Sequence, residues 1–187
     1  CDCYGVLANH CMACEDYEKG AEYARLEARR YQKAASFKDA IEYAKRSILC
    51  LEKLPQNEAV QKKIIDARVR LSIYYLSLNY HNEAKDAVEP VVDLARKLNY
   101  QKRIPGIYTA LGLYYCGVEE DFIKGIQYLK DASEIATNVG DFLTLWFANY
   151  HGGGVFTSNH QFDESNTCLK KSLDLSLLSK NLGGIAH

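Results

Sequence analysis

The chain has 187 residues, 48% hydrophobic and 25% charged, with 23 basic and 24 acidic side chains and a net charge of −1. That is enough for one domain of ordinary size with a continuous core. The balanced charge gives no electrostatic reason to expect nucleic acid or an anionic membrane as partner, and no apolar run approaches the roughly 20 residues needed to span a bilayer.

In chain order, the first element predicted is a helix carrying Tyr4, Leu7, Ala8 and Cys11, followed by Asp16-Tyr17-Glu18-Lys19-Gly20-Ala21. The second segment resembles Ser36-Phe37-Lys38-Asp39-Ala40-Ile41, where Ala40, Ala44, Ser47 and Leu51 recur at helical spacing. Leu54-Pro55-Gln56-Asn57 reads as a stop, and Ala67–Ser77 as the next helix. Tyr80-His81-Asn82-Glu83-Ala84-Lys85 repeats the aromatic-to-small pattern, and Leu98-Asn99-Tyr100 closes that unit. Tyr108–Cys116 opens another, continued by Asp121-Phe122-Ile123-Lys124-Gly125-Ile126 with Leu129, Ala132 and Ile135 in phase. After Val139-Gly140-Asp141 comes Leu143–Phe156, which ends in Gly152-Gly153-Gly154-Val155-Phe156. A weaker copy, Gln161-Phe162-Asp163-Glu164-Ser165-Asn166, leads to a final stop at Asn181-Leu182-Gly183-Gly184. Gly, Asn and Pro at these boundaries are helix-terminating residues. Only three prolines (Pro55, Pro90, Pro105) interrupt the chain, and no alternating strand pattern competes.

The small residues at 20, 40, 84, 125 and 165 are separated by 20, 44, 41 and 40 positions. The later gaps describe helix pairs of about forty residues, and the first gap a single helix-to-helix step. The fold expected is therefore all-α: one domain over 1–187, a solenoid of stacked antiparallel helix pairs with units near 1–35, 36–54, 57–98, 101–139 and 141–180. The chain begins without Met and stops inside the apolar Ile185-Ala186-His187, so a fragment of a longer protein is expected.

The pattern resembles the tetratricopeptide repeat (TPR). Tyr108, Leu111, Gly112 and Tyr115 fit its first-helix signature, and Gly125, Leu129 and Ala132 its second after a one-residue insertion. Leu71, Ser72 and Tyr75, then Ala84, Val88 and Val91, fit the preceding unit, as do Tyr4, Leu7, Ala8 and Cys11, then Gly20 and Ala24, the first. The longer repeat is similar to helical arrays that follow ATPase modules in large bacterial signalling proteins. That resemblance implies a non-catalytic protein-interaction array, regulatory or sensory, in a larger cytoplasmic signalling protein. It also implies a concave face lined by first helices. There the positions of a chaperone-type carboxylate grip would be Gly5 and Asn9, Val69 and Ile73, Thr109 and Leu113, Tyr150 and Gly154. Only Asn9 suits that grip. The candidates Asn9, Val69, Ile73, Thr109, Leu113 and Tyr150 describe a largely apolar groove, fit for an amphipathic helix or an extended segment of a partner protein. The alternative is a structural spacer that self-associates by end stacking.

Other chemistry is weakly signalled. Seven cysteines, odd in number and scattered, point to a reducing cytoplasm with mostly buried thiols rather than a disulfide scaffold. Cys1, Cys3, His10, Cys11 and Cys14 are the one cluster with metal-ligand character, and His10, Cys11 and Cys14 are its candidate ligands. His10 and Cys14 are an i, i+4 pair that needs outside ligands. Cys3 lies too far along the axis unless the helix starts after it. Core packing and a redox switch are the other readings. Gly152-Gly153-Gly154 lacks the lysine of a phosphate loop, so it suits tight helix contact or a helix break. The five histidines form no nucleophile motif, and the tyrosines fall at core spacing. No enzyme activity and no cofactor is expected.

Overall fold

The structure is a computed structural model describing residues 3–183, and among these it forms helices and turns with no strand. Cys1 and Gly184, assigned above to the cysteine cluster and the final stop, lie outside the described residues. The helices are α1 (Tyr4–Ala13), α2 (Tyr17–Lys33), α3 (Phe37–Lys53), α4 (Glu58–Leu76), α5 (His81–Val88), α6 (Val92–Lys97), α7 (Ile104–Gly117), α8 (Phe122–Val139), α9 (Phe142–Ser158) and α10 (Phe162–Gly183). They belong to two compact units, 1–103 and 104–187. Within each unit, helices pack chiefly against their sequence neighbours, so each unit is a stack of helical hairpins.

In the first unit, α2 packs along α3 more extensively than along α1. Its core joins Ala28, Ile41, Ala44, Ile48, Leu71, Tyr74 and Ala87, drawn from α2 to α5. In the second unit α7 lies along α8, and α9 along α10. Leu129, Ala132, Ala136, Leu145, Ala148 and Phe156 are buried there. Every small residue of the repeat pattern is buried: Gly20, Ala40, Ala84, Gly125 and Ser165. One expected second helix is broken. Pro90, which has no N–H to donate, sits in a short 3-10 turn (Glu89–Val91) that separates α5 from α6.

The turns share one backbone device. Glu15, Ala35, Asn79, Asn99, Gly140 and His160 all have positive φ, from 47° to 69°. At each, the N–H of the following residue returns to the carbonyl five positions earlier, as in Asp16 to Cys11, Ser36 to Tyr31 and Gln161 to Phe156. The positive-φ residue donates to the carbonyl three positions earlier, which completes a Schellman closure. Glu120 (φ 56°) marks the one variant, where Asp121 donates to Tyr115 across an extra residue. That extra residue is the one-residue insertion seen in the sequence. The next helix then starts at once, with Asp16, Asp121 and Asp141 each accepting from the backbone N–H three residues on.

Ala35 (φ 54°) carries a Cβ in this left-handed conformation, which costs about 1 kcal/mol relative to glycine. Ala35→Gly is therefore expected to stabilise the protein by roughly that amount, a rise of about 2–4 °C in Tm. A calorimetric scan showing no rise would contradict this reading of the turn.

Candidate functional site

Each unit carries a groove of the same construction, a floor helix between two wall helices. In the first unit the groove encloses about 540 Å³. Its floor is α3, through Ala44, Ser47 and Leu51, and its walls are α2 and α4. Ala21 and Ala28 on α2 and Ala67 on α4 keep the inner walls apolar, while Lys19, Glu22, Arg25, Lys63, Asp66 and Arg70 form the rim. Small side chains at 21, 28, 44 and 67 open the groove, because alanine leaves the space between stacked helices unfilled.

Most rim charges are already paired. Glu22 receives both arms of Arg25 at 2.6 and 2.8 Å, and this hydrogen bonding holds its carboxyl below the usual range. Asp66 accepts from Arg103 and from the Tyr100 hydroxyl at 3.1 Å. Lys63 reaches Glu18 across the groove mouth at 3.5 Å. Arg70 differs: it is half-buried and faces the Tyr74 hydroxyl, and no carboxylate among the described residues pairs with it. Burial pushes the Tyr74 hydroxyl up, and the nearby Arg70 cation opposes that shift.

The second groove, about 480 Å³, has α9 as floor, through Ala148, Asn149, Gly152 and Phe156, with α8 and α10 as walls. Asn149 is buried and spends its amide on the Leu145 carbonyl at 2.7 Å and on Ser133 Oγ at 3.3 Å. Lys130, Glu134, Glu164 and Lys171 give its rim both signs of charge. The three glycines of α9 do not break the helix. A methyl group on Gly153 would meet Leu169 of α10 at 2.5 Å, so this glycine serves close helix contact.

The residues singled out from sequence are placed as follows. Asn9 is exposed and accepts from Arg46 of α3 at 2.7 Å. Ile73 is half-buried, and Tyr150, 51% exposed, stacks on Trp146 with 5.5 Å between ring centroids. Val69, Thr109 and Leu113 are buried, and Thr109 donates its hydroxyl to the Pro105 carbonyl at 2.8 Å. These three are packing residues with almost no surface for a partner. The groove face of α4 instead carries Lys63, Asp66, Ala67 and Arg70, one residue and so about 100° around the helix from Val69. The i, i+3, i+7 spacing of Lys63, Asp66 and Arg70 is a signal the sequence does hold.

The cysteines also depart from expectation. Cys50 and Cys116 are buried, but Cys3 and Cys14 are exposed, and Cys11 and Cys168 are partly covered. The reason is that α1 buries only Gly5 and Ala8 among its residues. Because α1 begins at Tyr4, Cys3 caps it from outside. His10 Nε2 and Cys14 Sγ do approach, at 3.9 Å. Among the described residues, however, no three metal-ligating side chains converge, short of the four donors of a structural zinc site. His81 opens α5 with a buried Nδ1 that has no hydrogen-bond partner among the described residues, and burial pushes its pKa down.

No protein-family model and no curated protein matches this sequence. Solved structures do. BtubC from P. vanneervenii aligns at a TM-score of 0.61 and 16% identity, over 88% of this chain and 66% of its own. The chain thus spans a little less than two thirds of BtubC's length. A putative kinesin light chain from Podosopora anserina, described as having nearly identical TPR-like repeats, aligns at 0.54 and 12% identity, over 87% and 77%. MamA aligns at 0.52 and 16% identity, over 94% and 97%. At these identities the likeness establishes the fold: the chain has the TPR-like arrangement of stacked helices.

Proposed function

We propose that this chain is a non-catalytic protein-binding scaffold whose first-unit groove receives a segment of another protein. The observation that carries this reading is Arg70. A half-buried guanidinium without a carboxylate, above an apolar floor of Ala44 and Leu51, is a recognition element lacking its counter-ion. The fitting occupant lays apolar side chains on α3 and places a carboxylate against Arg70. An amphipathic helix or a short extended segment meets both demands. Stacked helical hairpins suit this role because they hold such grooves on rigid walls. We extend this reading, on the resemblance of the sequence to arrays that follow ATPase modules, to a regulatory role within a larger cytoplasmic signalling protein.

Selection of a displayed random-peptide library against the wild-type chain, with Arg70→Glu as counter-target, tests the assignment. Enriched peptides are expected to combine an acidic residue with apolar neighbours and to bind Arg70→Glu about 10-fold more weakly, the loss of one charge-assisted pair. Peptides that bind both proteins equally would sink it. The competing reading is a self-associating spacer, favoured by the exposed row Leu169, Leu173 and Leu177 on α10. Sedimentation at several concentrations, with and without a selected peptide, separates the two.

A further inference from the structure

We propose that Cys11 and Cys50 are a reversible disulfide pair that fastens α1 to α3 across Gly20 of α2. Side chains link α1 and α3 at two successive positions. A methyl group on Gly5 would meet Tyr43 Oη at 2.5 Å, and Asn9 accepts from Arg46 at 2.7 Å. Further along both helices, Cys11, Met12 and Cys50 share the α2 residue Gly20 as a neighbour. Gly20 lies between them: a methyl group on it would lie 3.2 Å from Cys50 Sγ, 3.4 Å from Met12 Cγ and 3.7 Å from Cys11 Cβ. Cys50 Sγ and Cys11 Cβ therefore both lie within 4 Å of one point beside Gly20 that no α2 side chain occupies, with Met12 the third neighbour. A disulfide asks for Cβ atoms roughly 3.5–4.5 Å apart, and Gly20, with no side chain, leaves the approach of α1 to α3 unblocked by α2.

The two thiols are unequal in a way that suits sequential chemistry. Cys11 is partly exposed, whereas Cys50 is 1% exposed, and burial pushes its pKa up. A peroxide reaches Cys11 first. Its sulfur attacks one peroxide oxygen, the O–O bond breaks, water leaves, and a sulfenic acid forms. The Cys50 sulfur then attacks Cys11 sulfur. The S–O bond breaks, and the departing hydroxide takes the Cys50 proton to form a second water. Two electrons pass from the thiols to the peroxide, and a dithiol reductant reverses the bond. Once formed, the bond ties α1, which buries only Gly5 and Ala8, to the core of the unit.

The test uses the full chain with Cys1, Cys3 and Cys14 changed to serine, alongside wild type. Each is treated with a slight excess of hydrogen peroxide, alkylated with N-ethylmaleimide and mapped without reduction. The expected product joins the peptide ending at Lys19 to residues 47–53, with the loss of two hydrogens. Dithiothreitol restores the separate peptides, and oxidation raises the Tm by several degrees. Cys50→Ala is expected to keep its fold, to lose the cross-link and the Tm rise, and to leave Cys11 as a dimedone-trappable sulfenic acid. Wild-type protein in which Cys11 pairs with Cys14, or triple-serine protein in which Cys11 oxidises while Cys50 stays a free thiol, would overturn the proposal.

Discussion

Gly125→Ala is expected to destabilise the second unit by about 3 kcal/mol, at the upper end of the cost of overpacking a core. A methyl group at this position would lie 2.2 Å from Cys116 Sγ, 2.8 Å from the Gly112 carbonyl oxygen and 3.0 Å from the Cys116 nitrogen. The sulfur can rotate away. The two backbone atoms cannot, so α7 and α8 would have to separate along their length. Gly112 faces the same contact from the other side, with Leu129 Cγ at 2.8 Å. The matched control is Gly154→Ala in α9, where a methyl group meets nothing within 4 Å and the site is exposed. There the ordinary helix preference for alanine over glycine applies, worth about 0.8–1.0 kcal/mol in favour of the variant. Urea denaturation followed through Trp146, the only tryptophan in the chain, reads the second unit directly. The pair is expected to shift the midpoint in opposite directions. A drop for both, or for neither, would show that glycine at 125 is not there for helix approach.

Tyr74→Ala is expected to cost about 3–5 kcal/mol in the first unit, the range for deleting a large buried ring. Tyr74 is 0% exposed and among the largest fully buried side chains. Its ring lies 6.4 Å from that of Phe37, and its hydroxyl hydrogen-bonds Gln32 Oε1 at 3.2 Å. It joins α4 to both α2 and α3, so the void would open at the centre of the core rather than at an edge that can collapse. Tyr74→Phe keeps the ring and removes only the hydroxyl. It is expected to cost about 1 kcal/mol, and also to remove the hydroxyl that Arg70 faces. The readout is hydrogen exchange across α3 and α4: protection should collapse in the alanine variant and fall modestly in the phenylalanine one. Equal losses in both would place the energy in the hydroxyl instead.

Much of the helical framework can be read from the sequence because the turns are punctuated. Asp16, Asp121 and Asp141 cap helices, Gly140 and the asparagines at 79 and 99 accept left-handed backbone, and Pro55 ends α3. Each is a local chemical signal that needs no tertiary knowledge. The aromatic-to-small pattern likewise located the buried positions 20, 40, 84, 125 and 165. The grooves were harder. Val69, Thr109 and Leu113 stand at the positions of a chaperone-type grip, and a step of one residue turns a helical side chain by about 100°, from rim to core. The Cys11–Cys50 approach was out of reach, since it depends on a third helix contributing no side chain at Gly20. Pro90 was visible, but the repeat pattern running through Ala84, Val88 and Val91 concealed its effect.

The seven left-handed turns bear on how such a protein can change over generations. Their closure bonds join backbone atoms, so the loop shape does not depend on which side chain occupies the corner. Glu15, Ala35, Glu120 and His160 stand at corners where glycine would be least strained. Substitution there costs about 1–2 kcal/mol at most and leaves the hairpin closed. A lineage can therefore rewrite its corners and surfaces freely, as long as the close contacts such as Gly112–Gly125 persist. Under that regime the letters at the corners can change while the helix stacking stays in place.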